Sequence, residues 1–255
     1  MQINNLRKII YYILIIAIIH SCSSHSSYTG LLSCEHEFPD LFSAVHTGKG
    51  LSITGKARVE LNQYRVRGIC RIHYLPPDNL RIDFRHSSIF GAYKEDASIF
   101  IRAAHMVIFD RERGKFFDRD SSLTIIDRHI GFRIYPDDLI CVLTLTSPDC
   151  STIGSLEMGS SEDEWKLVGE WRGRRIEIRG KEGMGPETFR QCQNDENNCY
   201  IISYSSYSEW NGIRFPKRIV LVEENGSQKI ALNITDVREE IVSRDTFEVS
   251  NMWKR

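Results

Sequence analysis

From Leu51 to Leu61 the chain alternates, with Leu51, Ile53, Gly55, Ala57, Val59 and Leu61 on one face and Ser52, Thr54, Lys56, Arg58 and Glu60 on the other. Period two with one polar face predicts a half-buried strand of an antiparallel sheet. The pattern repeats with Tyr64, Val66, Gly68, Cys70, Ile72 and Tyr74 inward and Arg65, Arg67, Arg71 and His73 toward water. Pro76-Pro77-Asp78-Asn79 has the chemistry of a turn, after which Leu80, Ile82 and Phe84 alternate with Arg81, Asp83 and Arg85. Further strands are expected at 97–102, 105–110, 114–118, 164–171, 174–179, 199–207, 216–224, 228–237 and 241–249. Ser121 to Gly131 breaks the rhythm, because Leu123, Ile126 and Ile130 fall at helical spacing. Pro136-Asp137-Asp138 opens a second helix carrying Leu139, Ile140, Leu143 and Leu145, with both carboxylates read as helix caps; a third helix is expected over 38–46. Residues 181–199 read as a long polar insert. The sum is a mainly β fold, a single antiparallel sheet of about eleven strands curled into an open barrel, with helices covering one mouth.

The first thirty residues follow another logic. Arg7 and Lys8 precede the unbroken apolar run Ile9 to Ile19, which is shorter than the roughly 20 residues a membrane-spanning helix needs. A basic start, a short apolar stretch and a small residue before a processing point describe a secretory leader. The sequence Ile19-His20-Ser21-Cys22 resembles the lipobox of bacterial lipoproteins, in which the cysteine is lipidated, although His20 departs from the usual small or apolar residue. The rival readings are an uncleaved signal anchor, or a leader cut elsewhere with Cys22 an ordinary cysteine. On the lipoprotein reading, 1–21 is a signal peptide, Cys22 carries the lipid, 22–30 is a flexible tether of small polar residues, and 31–255 is one domain.

Loss of Arg7 and Lys8 moves the formal charge from −1 to −3. Such a balance gives no reason to expect a nucleic-acid partner. Removing Cys22 from the seven cysteines leaves Cys34, Cys70, Cys141, Cys150, Cys192 and Cys199, an even set that reads first as disulfides in an exported chain. Cys192 and Cys199 flank a polar loop and form the favoured pair; Cys141 with Cys150 is a weaker one. Zinc is disfavoured because there is no CxxC pair and the histidines do not cluster near the thiols, so no metal and no cofactor are expected. No hydrolase, metalloprotease or phosphate-loop motif occurs, and no catalytic residue is assigned. Gly154-Ser155 lies in a polar linker, Ser160 to Glu164 reads as a solvated turn, and His105 and His129 are isolated. Tyr64, Tyr74, Phe84, Trp171, Tyr200, Tyr204 and Trp210 are candidates to line an apolar ligand cavity, though aromatics form cores first.

Four blocks in order resemble the lipoprotein-sorting factors LolA and LolB. They are the paired strands Ile53 to Tyr74 with the Pro77 to Phe84 segment, the Ser88-Ile89-Phe90-Gly91 hairpin tip, Leu123 to Pro148, and the stretch Ile202 to Ile219 with Asn211-Gly212 and Phe215-Pro216. Together they cover most of residues 50–240. The resemblance implies an open β-barrel whose apolar cavity receives acyl chains. It also implies a membrane-contacting loop at Ile89 and Phe90, where the family's proline is missing. The chain is thus read as a binding module, not an enzyme. It would be lipid-anchored in the bacterial envelope, at the outer membrane facing the periplasm. Its partners would be acyl chains of lipids or lipoproteins, the membrane itself, and a periplasmic carrier protein. The alternative is an interaction lipoprotein with a filled core and a protein partner.

Overall fold

In a computed structural model of the chain, residues 49–61, 64–87, 93–102, 105–110, 114–120, 136–145, 153–161, 164–171, 173–181, 185–192, 199–224 and 228–247 are described. The leader, Cys22, the tether, the helices expected at 38–46 and 121–131, and the Ile89-Phe90 tip lie outside them, as do Cys34 and Cys150.

The described chain is mainly β: one antiparallel sheet with a single α-helix. The strands are β1 (Gly50–Leu61), β2 (Tyr64–Leu75), β3 (Asn79–Ser87), β4 (Tyr93–Arg102), β5 (His105–Asp110), β6 (Lys115–Asp120), β7 (Ile153–Ser161), β8 (Glu164–Trp171), β9 (Arg174–Lys181), β10 (Gly185–Cys192), β11 (Cys199–Trp210), β12 (Ile213–Glu223) and β13 (Gln228–Glu240). Their order across the sheet is β6-β5-β4-β3-β2-β1-β13-β12-β11-β10-β9-β8-β7. Every neighbour is also a sequence neighbour except β1 and β13, which pair from Gly50↔Glu240 to Leu61↔Gln228. The sheet is therefore a meander whose first and last strands are zipped together. Its two edges, β6 and β7, are mid-chain strands that do not pair with each other among the described residues. The helix α1 (Pro136–Thr144) falls between those edges in sequence and faces the concave side of the curled sheet through Leu139, Val142 and Leu143.

Local chemistry explains the elements. Asn211 and Gly212, with φ of 50° and 83°, form the two-residue connection between Trp210 and Ile213, the left-handed pair that matches the twist of a hairpin. Pro136 suits a first helical turn, where its missing N–H costs nothing. Beyond Thr144 the backbone of Leu145 turns left-handed (φ 53°), a helix stop normally given to glycine; Leu145 is held there fully buried in the core. The alternation seen in the sequence holds in space. Leu51, Ile53, Ala57, Ile72, Tyr74 and Leu80 are buried on the concave face, while Lys56, Arg65, Arg67 and Arg71 are exposed on the other.

Three readings of the sequence are corrected. Residues 153–161, read as linker and turn, form edge strand β7, and part of the supposed insert 181–199 forms β10. Both are polar, and β10 buries Phe189 and Gln191 among exposed-looking neighbours, so no clean alternation shows. The strand expected at 241–249 is instead a crossing segment ending in a 3₁₀ turn, Arg244–Phe247. It lies on the outer face of β3 and β4, where Arg81 Nη1 donates to Thr246 O at 3.0 Å and Phe247 is buried. This cover also buries Asp83, expected to face water, which accepts from Ser98 Oγ at 2.7 Å and pairs with Arg81.

Candidate functional site

The concave face is solid at one end and hollow at the other. At the end where β1 begins and β13 finishes, Leu51, Ile53, Tyr74, Leu80, Ile101, Phe215 and Val237 close up into a core with almost no exposure. Toward the opposite end lies an apolar cavity of about 280 Å³. Its walls are Ala57 and Val59 of β1, Cys70 and Ile72 of β2, Ile82 and Phe84 of β3, and Ala97 and Ile99 of β4. Ile202 of β11, Ile219 and Leu221 of β12, and Ile230 and Leu232 of β13 continue the wall, and Leu139, Val142 and Leu143 of α1 complete it. Among the described residues no side-chain nitrogen or oxygen lines it. Val59, Ile82, Phe84, Ile99, Leu139, Leu143 and Ile230 keep partial exposure, and among the described residues the hollow is partly open to the outside.

Small residues create the space. Ala57 faces Gly68 across β1 and β2, and Ala97 faces Phe84 across β3 and β4. A Cβ on Gly68 would collide with the Arg85 carbonyl oxygen and stand 2.8 Å from the Phe84 ring, so glycine is what lets β3 and that ring approach β2 so closely.

The helix is held over the hollow by a buried polar anchor. Asp138, fully buried in the first turn of α1, accepts from both terminal guanidinium nitrogens of Arg174 at the start of β9, with Nη1 donating to Oδ2 and Nη2 to Oδ1 at 3.0 Å. The Tyr200 hydroxyl donates to Asp138 Oδ2 at 3.1 Å and also touches Gln191 Oε1. Arg174 lies over the Trp171 ring at 5.7 Å, and Phe189 packs edge-on to Trp171 and stacked on Tyr200. Further along α1, the Tyr204 hydroxyl donates to Val142 O at 3.2 Å. That carbonyl is among the last four of the helix, which lack intrahelical donors. Burial pushes the Tyr200 and Tyr204 hydroxyls well above the usual phenol range, so both stay neutral donors.

The aromatic candidates therefore divide. Phe84 lines the cavity. Tyr74, Trp171, Tyr200 and Tyr204 are core residues outside the lining; Tyr74 donates to Pro77 O at 3.2 Å, and the others pack beside the helix anchor. Trp210 is packed against the core, its Nε1 donating to Phe215 O. Tyr64 opens β2 opposite Leu61, and only its backbone is described. The inward positions of β1, β2 and β3 were read correctly, but their aliphatic and small residues were not singled out as the lining. Asp138 serves as the anchor of α1 to the sheet, a role invisible without its partner 36 residues away.

Cys192 and Cys199 form a disulfide between the ends of β10 and β11. Their sulfurs come near the Glu224 carboxylate, but they are bonded to each other and Glu224 is held by Arg190. Cys141 is a buried thiol and not half of a bridge with Cys150, and Cys70 is a buried thiol in the cavity wall. Burial pushes the Cys70 thiol up to about 12 and raises Cys141 further, so neither is a nucleophile at neutral pH.

No family model and no curated protein matches the sequence. Solved structures do match its fold. A putative outer membrane lipoprotein-sorting protein domain from Vibrio parahaemolyticus superposes with a TM-score of 0.63 at 10% identity, covering 85% of this chain and 96% of that one. A protein of the DUF1329 family from Desulfovibrio piger gives 0.68 at 9% identity, covering 88% and 99%. A LolA superfamily protein from Nitrosomonas europaea gives 0.61 at 9% identity, covering 86% and 99%. At such identities the likeness is one of fold alone: the chain has a LolA-like fold, an open antiparallel barrel with a helix across its hollow.

Proposed function

We propose that this chain receives and holds acyl chains of lipids or lipoproteins while tethered to the bacterial outer membrane through a lipid on Cys22. The observation that carries the reading is the wholly apolar, partly open cavity under α1. The printed names of two fold neighbours, a lipoprotein-sorting domain and a LolA superfamily protein, support the same activity. Burying an acyl chain contributes about 0.8 kcal/mol per methylene, so ten methylenes supply about 8 kcal/mol before the cost of association is subtracted. Binding and release of this kind use no reactive group, in keeping with the unreactive thiols and neutral phenols around the hollow. Strands β3 and β4 meet at Ser87 and Tyr93, at the end where the cavity lies, and in this reading the intervening Ile89 and Phe90 contact the bilayer. A periplasmic carrier would deliver the chain, and onward transfer requires an acceptor of equal or greater affinity.

Titration with a fluorescent fatty acid tests the cavity. Saturable uptake is expected, and Ala57→Leu, which extends a branched side chain into the hollow, should cut affinity at least tenfold. The same substitution should stabilise the fold by about 0.5–2 kcal/mol, as cavity filling does. Absence of saturable uptake, or undiminished binding by the filled variant, would sink the carrier reading. The tether is tested separately by growing cells with labelled palmitate: label should enter the chain and disappear with Cys22→Ala. An unlabelled wild-type chain would refute the anchor.

A further inference from the structure

The chain carries almost no net charge, yet its cations are not evenly spread. Cross-strand register places them in adjoining rows on the outer face, at the hollow end of the sheet. Arg218, Asn233 and Lys56 follow one another across β12, β13 and β1; Ala231, Arg58 and Arg67 do so across β13, β1 and β2; and Lys229, Glu60 and Arg65 form the next row. With strands about 4.8 Å apart, these rows span roughly 15 Å. Lys56, Arg65, Arg67 and Arg218 are exposed. On this stretch β1 and β2 carry one carboxylate among the described residues, Glu60, and it is already shared by Arg58 and, at 3.5 Å, Arg65. Those cations hold Glu60 below the usual carboxylate range, so it stays ionised and remains their partner.

Arg58 and Arg67 stand directly opposite each other. Like charges in that relation destabilise a sheet. Arg67 makes no ion pair among the described residues. The outer half of β8 and β9 shows the ordinary alternative, where Glu177 sits between Lys166 at 3.2 Å and Arg179. The basic rows are thus compensated only by Glu60, and the Arg58–Arg67 juxtaposition stands at a cost to the fold.

We propose that this outer face docks on an anionic lipid surface. Charge complementarity carries the argument, since rows of exposed guanidinium and ammonium groups match the phosphates of a membrane surface. Position selects a membrane over an acidic protein or a nucleic acid: the rows border the end of the sheet where the acyl-sized hollow lies, so headgroup contact brings that hollow close to lipid chains. The inference shares that geometry with the proposed function but does not require uptake of an acyl chain.

Co-flotation of the full chain with vesicles decides it. The quantity read is the ratio of binding to phosphatidylcholine–phosphatidylglycerol vesicles over binding to phosphatidylcholine alone, so that capture by the apolar leader cancels. The ratio should be well above one, collapse at high salt, and fall about fivefold for each cation neutralised in the series Lys56→Gln, Arg65→Gln and Arg67→Gln. Arg67→Glu is the sharper variant. It replaces a like-charged pair with an attractive one, so its thermal midpoint should hold or rise while the ratio falls. A wild-type ratio of one would overturn the proposal, as would a ratio untouched by Arg67→Glu in a folded chain. Vesicle preference without fatty-acid uptake would leave this docking intact and reject only the carrier reading.

Discussion

The two ends of the barrel are built from the same strands, yet one is packed shut and the other encloses a hollow. Along β1, Leu51 and Ile53 belong to the closed end and Ala57 and Val59 to the open one. Along β2, Tyr74 fills the closed end, whereas Gly68 and Cys70 leave room at the other. Both stretches obey the same inward alternation, so polarity does not distinguish them. Side-chain volume does: interiors are packed as densely as organic crystals, and a run of small residues facing one another leaves space that neighbours cannot collapse to fill. The closed end supplies the rigidity that lets the hollow end stay apolar and empty. The helix adds the missing wall, and it is held by a polar anchor because the hollow itself gives it little to pack against.

Removing that anchor should produce the largest effect. Asp138→Ala leaves Arg174 buried without its carboxylate, a change worth about 3–5 kcal/mol. Chemical denaturation should show a loss of that size, with a fluorescent fatty acid no longer bound once α1 detaches. Replacing both Asp138 and Arg174 with apolar residues of similar volume should recover much of the stability, as breaking a buried pair costs more than substituting it whole. A loss under 1 kcal/mol for Asp138→Ala would show that α1 is held by its apolar face, and the contrast between the two ends would need another cause.

Much of this architecture was legible in the sequence. Alternation in β1, β2 and β3 predicted both the strands and the apolar face each turns inward, because half-buried antiparallel strands write their environment at period two. The curled sheet followed from the number of such strands, with the few helical segments read as covering one mouth. Zipping of β1 to β13 was not legible, since pairing of the first and last strands leaves no local mark. Strand β10 was hidden because polar Gln191 shares the buried face of Phe189 and Thr188 and Arg190 take the other, leaving no apolar majority. At the site, the aromatic residues drew attention because they are conspicuous, but four of them fill the core, and small and aliphatic residues such as Ala57, Cys70, Ala97 and Ile230 bound the space. A cavity is an absence of volume, and no residue type announces it; the nearest signal was the coincidence of Gly55, Ala57 and Gly68 on inward positions of neighbouring strands. Asp138 looked like a helix cap because its anchoring partners, Arg174 and Tyr200, are distant in sequence.

A paired truncation sharpens the comparison at smaller amplitude. Leu51→Ala removes methylenes from the closed end, where neighbours on β2 and β13 cannot follow, and should cost about 2–5 kcal/mol. Val59→Ala removes them from a wall that already borders empty space and keeps partial exposure, so its cost should be about 1 kcal/mol or less. The quantity that matters is the gap between the two, about 2 kcal/mol, measured by urea unfolding under identical conditions. Binding should move the other way, with Val59→Ala altering affinity for a fluorescent fatty acid and Leu51→Ala leaving it unchanged wherever the chain is folded. Equal costs at the two positions would mean that the hollow collapses around bound neighbours in solution, because only a wall that cannot relax leaves its side chains so lightly supported.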